Sequence, residues 1–254
     1  MPESDPVLLE RRDDVGWLVL RRAVTNALDE SLIEALSVLL DTARMEEALA
    51  GLVLTGSNDK FFSIGLDLPQ LLSLGREDMR RYYRRFSETC LTLYTFPKPV
   101  VAALNGHAVA GGCILALCCD YRFMAAGRRR MGLNEIHLGV PVPYVADRIL
   151  RHLVGARQAR EIVDGGEFYE PDDLLRLGLV DRVVPAANLP EIAGAKAQSL
   201  GRAPGGVFSK IKRDRTEAVE AEIRARMADK EDDFLDSWFS PAARSRLAEA
   251  AERF

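Results

Sequence analysis

The segment Asn105–Asp120, NGHAVAGGCILALCCD, constrains this chain more than any other stretch. It sets Gly111 and Gly112 at the mouth of an apolar helix and offers no carboxylate at that turn. A helix start leaves backbone N–H groups without partners, and glycine lets another group approach the chain without meeting a Cβ. The pair therefore suits either half of an oxyanion site or a tight turn from a strand into a buried helix. A second glycine turn upstream, Phe62-Ser63-Ile64-Gly65-Leu66-Asp67-Leu68-Pro69, offers a second backbone donor and favours the first reading.

Around these turns the pattern is mixed. Gly16–Leu20 and Leu52–Thr55 are expected strands, and Asp29–Arg44 carries Leu32, Ile33, Leu36, Leu39 and Leu40 at helical spacing with one buried stripe. Asp67 followed by Gln70 predicts a helix N-cap, which makes Asp67 a cap rather than a catalyst. A charged helix over 77–94 leads to Pro97-Lys98-Pro99, whose prolines force an extended entry into the strand Val100–Leu104. Another strand is expected at Tyr121–Ala125, helices near 144–153, 156–164 and 171–177, and a short strand at 181–184. From Leu189 onward the chain is predicted to be helical, with breaks at Pro204-Gly205-Gly206 and Pro241. An α/β core with a C-terminal helical subdomain follows, divided as 1–190 and 191–254.

Composition removes several classes of function. No apolar run reaches the roughly 18 residues that span a bilayer, so no membrane partner is expected. The start MPESDPVLLERRDD has no apolar signal region, which makes a cytoplasmic location the default expectation. A formal net charge of −4 argues against nucleic acid as a partner. Cys90, Cys113, Cys118 and Cys119 match no zinc or redox spacing, so no metal site is expected and the thiols are read as buried and free.

Four blocks in order carry a family resemblance. Phe61-Phe62-Ser63-Ile64-Gly65-Leu66-Asp67-Leu68, then Pro97-Lys98-Pro99-Val100 with Asn105-Gly106, then Ala110-Gly111-Gly112-Cys113, and finally Gly178-Leu179-Val180-Asp181-Arg182-Val183-Val184-Pro185 resemble the signature of the crotonase (enoyl-CoA hydratase/isomerase) superfamily. The resemblance implies a crotonase-like spiral of ββα turns and assembly as a homotrimer or a dimer of trimers. It implies an acyl-CoA thioester substrate, with CoA carried as part of the substrate and no separate cofactor. It assigns the two oxyanion donors to the amides of Leu66 and Gly111. Ile64, Gly65 and Asp67 then belong to the turn expected to run past CoA, although Ile64 is bulkier than the alanine that often stands there. Lys210, Lys212 and Arg213 are candidates for its anionic end, or simply a solvated basic surface.

The same resemblance bears on the reaction. Hydratases of the family use two glutamates, the first three residues after the leading glycine of the pair, and here that position is Ile114. The second position matches Glu135 in Met131-Gly132-Leu133-Asn134-Glu135-Ile136-His137-Leu138-Gly139. One carboxylate suffices to move a proton between two carbons. With Ile114 apolar, these blocks resemble the mitochondrial type of Δ3,Δ2-enoyl-CoA isomerase. Read without the family, Glu135 is better explained as a loop charge or a partner for Arg128–Arg130; as a base it would need apolar surroundings, which Ile136, Leu138, Val140 and Val142 are expected to provide. His107 and His137 are read as packing residues, and Asp120 and Asp164 as structural. Another single-carboxylate chemistry, such as thioester hydrolysis or decarboxylation, a weak hydratase, or a non-catalytic acyl-CoA-binding homologue are the alternatives.

Overall fold

A computed structural model describes residues 5–252; residues 1–4 and 253–254, at the outer limits of the two expected domains, lie outside it. The chain begins with a hairpin of β1 (Val7–Arg12) and β2 (Val15–Leu20), and α1 (Glu30–Met45) leads into β3 (Gly51–Gly56). One plan then repeats: a strand in a larger sheet, a short strand in a smaller sheet, and helix. The first turn is β3, β4 (Phe61–Ser63), α2 (Leu68–Leu71) and α3 (Arg76–Tyr94). The second is β5 (Val100–Leu104), β6 (His107–Val109) and α4 (Gly111–Leu117). The third is β7 (Tyr121–Ala125), β8 (Met131–Gly132), α5 (Glu135–Leu138) and α6 (Tyr144–Gly165). Then come β9 (Phe168–Tyr169), α7 (Pro171–Leu177), β10 (Arg182–Val184), α8 (Leu189–Gly201), α9 (Val207–Trp238) and α10 (Pro241–Ala251).

The larger sheet runs β1-β2-β3-β5-β7-β10 and is parallel except for its opening hairpin; the smaller runs β4-β6-β8-β9. This is the expected α/β spiral of ββα turns. Side-chain alternation sorts the large sheet between two layers. Leu18, Leu20, Leu52, Leu54, Ala102 and Met124 join the main core, while Trp17, Val19, Val53, Val101 and Phe123 pack with Leu189, Ala193 and Ala197 of α8. Covered on both faces, these strands read as continuous apolar runs. Phe234, Leu235 and Trp238 of α9 and Leu247 of α10 share the main core with the spiral.

Local expectations hold where a cap or a glycine decides them. Asp29 caps α1 by accepting from the Leu32 amide at 2.8 Å, and Leu32, Ile33, Leu36 and Leu40 form its buried stripe. The two helices expected over 144–164 are both present within α6, separated at Gly155, whose φ of 80° places it outside helical space. Strand β1 was not anticipated, nor were the two- and three-residue strands of the smaller sheet. Among the described residues no helix is long and apolar enough to cross a membrane, and no cluster of His, Cys, Asp and Glu is arranged to hold a metal ion.

Candidate active site

The two glycine turns meet. Leu28 bridges the first turn in parallel fashion, donating to Gly65 O at 2.7 Å and accepting from the Asp67 amide at 3.1 Å. That pairing turns the N–H of Leu66 away from Leu28, and it donates to no acceptor among the described residues. Ser63 braces the turn: its hydroxyl donates to Asn26 O at 2.7 Å and accepts from the Gly65 amide at 3.1 Å. Gly65 itself adopts φ 99°, and a Cβ there would stand 3.0 Å from the Gly111 nitrogen. The two backbones are therefore in direct contact.

Glycine at 111 and 112 serves different ends. A Cβ on Gly112 would fall 2.4 Å from Ser63 O, so this residue is needed for close packing of α4 against β4. Gly111 begins α4, lines a cavity together with Leu66, and its amide likewise has no acceptor among the described residues. The residue before it, Ala110, is held at φ 45° and ψ −114°, a region costly for a residue with a Cβ. The tight-turn reading of the Gly-Gly pair thus applies to Gly112, while Gly111 presents an open amide at the cavity.

The cavity holds about 280 Å³. Glu135, the first residue of α5, lines it and is only 6% exposed. No ion pair reaches this carboxylate, and its Oε2 is buried without a hydrogen-bond partner among the described residues. Burial raises its pKa from 4.5 to about 7, against the opposing pull of its own amide and that of Asn134. Two of the arginines at 128–130 are engaged elsewhere, Arg129 Nε donating to Asn105 O and Arg130 facing Glu170, and Arg128 is exposed. Ile114, 1% exposed, lines the same cavity.

The apolar surroundings come from a wider set of elements than the segment after Glu135. Leu138 and Val140 line the cavity as expected, but Ile136 and Val142 face a neighbouring one. In their place stand Phe86 of α3, Phe168 of β9, Phe234 and Trp238 of α9, and Leu247 of α10. Asn134 also lines it, with a buried Oδ1 that has no partner among the described residues. None of these was singled out from sequence. A polar helix with a few widely spaced aromatics gives little warning that those aromatics close a site in the preceding chain.

Other candidates separate cleanly. Ile64 lines the cavity, while Gly65 and Asp67 do not. The Asp67 carboxylate is occupied, accepting from the Gln70 amide at 3.0 Å as the predicted cap and pairing with Arg22 at 2.7 Å. Lys212 is not a free surface cation: it is buried, with its Nζ 2.7 Å from Asp120. Lys210 and Arg213 are exposed. His107 Nδ1 accepts from the Arg130 amide at 3.0 Å, and burial followed by the nearby arginines lowers its pKa. His137 Nε2 lies 3.2 Å from Gly165 O. All four cysteines are buried and free.

The ββα spiral thus brings two open amides and one unpaired acid to a single apolar cavity. The chain belongs to the enoyl-CoA hydratase/isomerase family, whose model matches residues 10–253. It is similar to enoyl-CoA delta isomerase 1, mitochondrial, of Mus musculus, at 34% identity over 182 residues, covering 70% of this chain. The match spans 63% of the mouse protein's length. It is also similar to the crotonyl-CoA hydratase of Syntrophomonas wolfei, 29% identical over 227 residues, covering 85% of this chain and 87% of that one. The crystal structure of human mitochondrial delta3-delta2-enoyl-CoA isomerase superposes with a TM-score of 0.93 at 26% identity, covering 98% of this chain and 97% of that one.

Proposed function

We propose that the protein is an isomerase that shifts the double bond of 3-enoyl-CoA thioesters to the 2-trans position. The observation that carries this reading is the pairing of Glu135 with Ile114 across one cavity: one acid is present, and the place of the second is apolar. Adding water needs groups to orient and deprotonate it. Moving a proton needs one base that reaches both carbons.

In this mechanism the thioester oxygen sits at the amides of Leu66 and Gly111. Glu135 removes a proton from C2, the electrons pass through C1 onto that oxygen to give a dienolate conjugated with the C3–C4 double bond, and the protonated acid returns the proton at C4 as the carbonyl re-forms and the double bond comes to rest between C2 and C3. Amides already aimed at the oxygen stabilise the dienolate more than the substrate, each worth about 3–4 kcal/mol in comparable oxyanion sites. A carboxyl whose pKa lies near 7 exists in both forms at neutral pH, which suits a group that must accept and then release the same proton. No cofactor beyond the CoA of the substrate takes part, and the assembly we propose is a homotrimer or a dimer of trimers.

The hydratase named among the relatives gives the competing reading its support, since it matches more of both chains than the mouse isomerase does. One assay separates the two. Purified protein is given 3-enoyl-CoA, 2-enoyl-CoA and saturated acyl-CoA, and conjugation, hydration and thiol release are followed. The expected result is conjugation of the first with little hydration of the second. Hydration at a comparable rate, or thiol release alone, overturns the isomerase reading.

A further inference from the structure

Two cavities stand on either side of one wall. The first is the candidate site, of about 280 Å³; the second, of about 430 Å³, lies among α3, α5, α6 and α9. Val140 and Phe234 line both. Neither is loosely placed. The Phe234 ring stacks on Tyr83 with centroids 4.1 Å apart and lies 6.0 Å from Trp238, while the Val140 amide donates to Glu135 O at 3.2 Å.

The two sides of this wall differ in character. Toward the candidate site Phe234 adjoins an apolar surface made with Trp238 and Leu247. Beyond it, Ile136 and Val163 offer further apolar surface, but the rim is charged: Asp147 pairs with Arg151 at 2.8 Å and Lys230 with Asp233 at 2.6 Å. Ile136 is 48% exposed there, so the second cavity opens to water. A hydrocarbon chain entering from the first cavity would gain burial up to the wall. To go further it must displace a ring packed between two other aromatics, and close-packed interiors do not yield continuously.

We propose that Phe234 and Val140 form the end wall of the acyl site, restricting the protein to acyl chains that stop at Phe234, and that the second cavity is a latent extension opened by trimming that ring. This rests on the acyl-thioester reading of the site. It makes Phe234 a residue that sets chain length, reached from α9, about a hundred residues in sequence beyond Glu135.

The test uses the full-length protein and a series of saturated acyl-CoAs of increasing length, with dissociation constants measured by calorimetry, and the matching 3-enoyl-CoA series for kcat/KM. In the unaltered protein, affinity should rise with length and then fall by about tenfold for each methylene beyond the wall. Phe234→Ala should move the optimum to longer chains by several carbons, and Phe234→Leu by fewer. Adding Val163→Phe to Phe234→Ala puts a ring back into the second cavity and should move the optimum back toward the original limit. The leucine variant keeps most of the packing, so the test survives if the alanine variant fails to fold. Folded variants whose optimum stays where the unaltered protein has it overturn the wall. If no acyl-CoA of any length binds, the acyl-thioester reading fails and this inference falls with it. If the thioesters bind with a shifting optimum but are not isomerised, the wall stands and only the isomerase reading is lost.

Discussion

Two buried acids at opposite ends of the same stretch of chain have been treated in opposite ways. Asp120, just past α4, has a side chain only 2% exposed and is saturated with donors. Its Oδ2 accepts from the Val100 amide at 2.9 Å and from Lys212 Nζ at 2.7 Å, and its Oδ1 from Arg215 at 2.6 Å. Glu135 is comparably buried and has no cation beside it. The first acid ties β5, β7 and α9 together and has no capacity left for chemistry. The second weakens the folded state when ionised, because no cation offsets the burial of its charge and its Oε2 has no hydrogen-bond partner among the described residues. What separates the two acids is pairing, since burial is shared.

The comparison breaks most visibly at Glu135. Glu135→Gln keeps shape and polarity but removes the base, and turnover of 3-enoyl-CoA should fall by roughly 10²–10⁴-fold. Binding of saturated acyl-CoA should persist, as measured by calorimetry. An unchanged rate would remove Glu135 from the mechanism. At Asp120 the expected loss lies in stability. Lys212→Met keeps the buried stem but leaves Asp120 short of its buried cation, and should cost about 3–5 kcal/mol in denaturant unfolding, with activity kept in the folded fraction. A loss of activity larger than the loss of folded protein would mean that the Asp120 cluster reaches the site.

The pH dependence tests the same contrast from another side. Because folding raises the Glu135 pKa from 4.5 to about 7, the native state binds more protons than the unfolded one between these values. The stability this group contributes is complete below pH 4.5 and is lost as pH rises through 7, amounting to about 3 kcal/mol. Activity should run the opposite way, with kcat/KM rising through a midpoint near 7 as the base ionises. Glu135→Gln should therefore be inactive yet more stable than the unaltered protein at pH 8. Equal stability of the two proteins at that pH would show that the carboxylate is better solvated than its surroundings imply.

Much of this contrast was legible before folding, and the part that was not has a physical cause. Gly65, Gly111 and Gly112 could be read because backbone contact as close as that between Gly112 and Ser63 leaves few alternatives to glycine. Glu135 and Ile114 could be brought to one site only through ordered motifs, since neither residue alone marks itself as lining the cavity they share. Lys212 misled because it sits on a highly charged helix, and its partner Asp120 lies 92 residues away in sequence. Phe234 and Trp238 were passed over for a related reason: the buried residues of α9 are sparse and include Lys212, Thr216 and Glu231, so no apolar stripe marks the helix as part of a site wall. The strands of the smaller sheet were invisible because two or three residues carry no measurable alternation.

The finest distinction lies within the Asp120 cluster itself. Arg215 and Lys212 both hold this carboxylate, at 2.6 and 2.7 Å, yet the Arg215 side chain is 43% exposed where that of Lys212 is 2%. An exposed guanidinium is exchanged for water at little cost, and the entropy of fixing a long side chain offsets much of the attraction. Arg215→Ala should thus cost no more than about 1 kcal/mol, with the effect shrinking as salt is added. Lys212→Met should hold its larger cost at every salt concentration, because its partner is shielded from the solvent. If the two variants prove equally damaging, the Asp120 cluster is a cooperative unit in which the exposed arm matters as much as the buried one, and burial has been given too much weight.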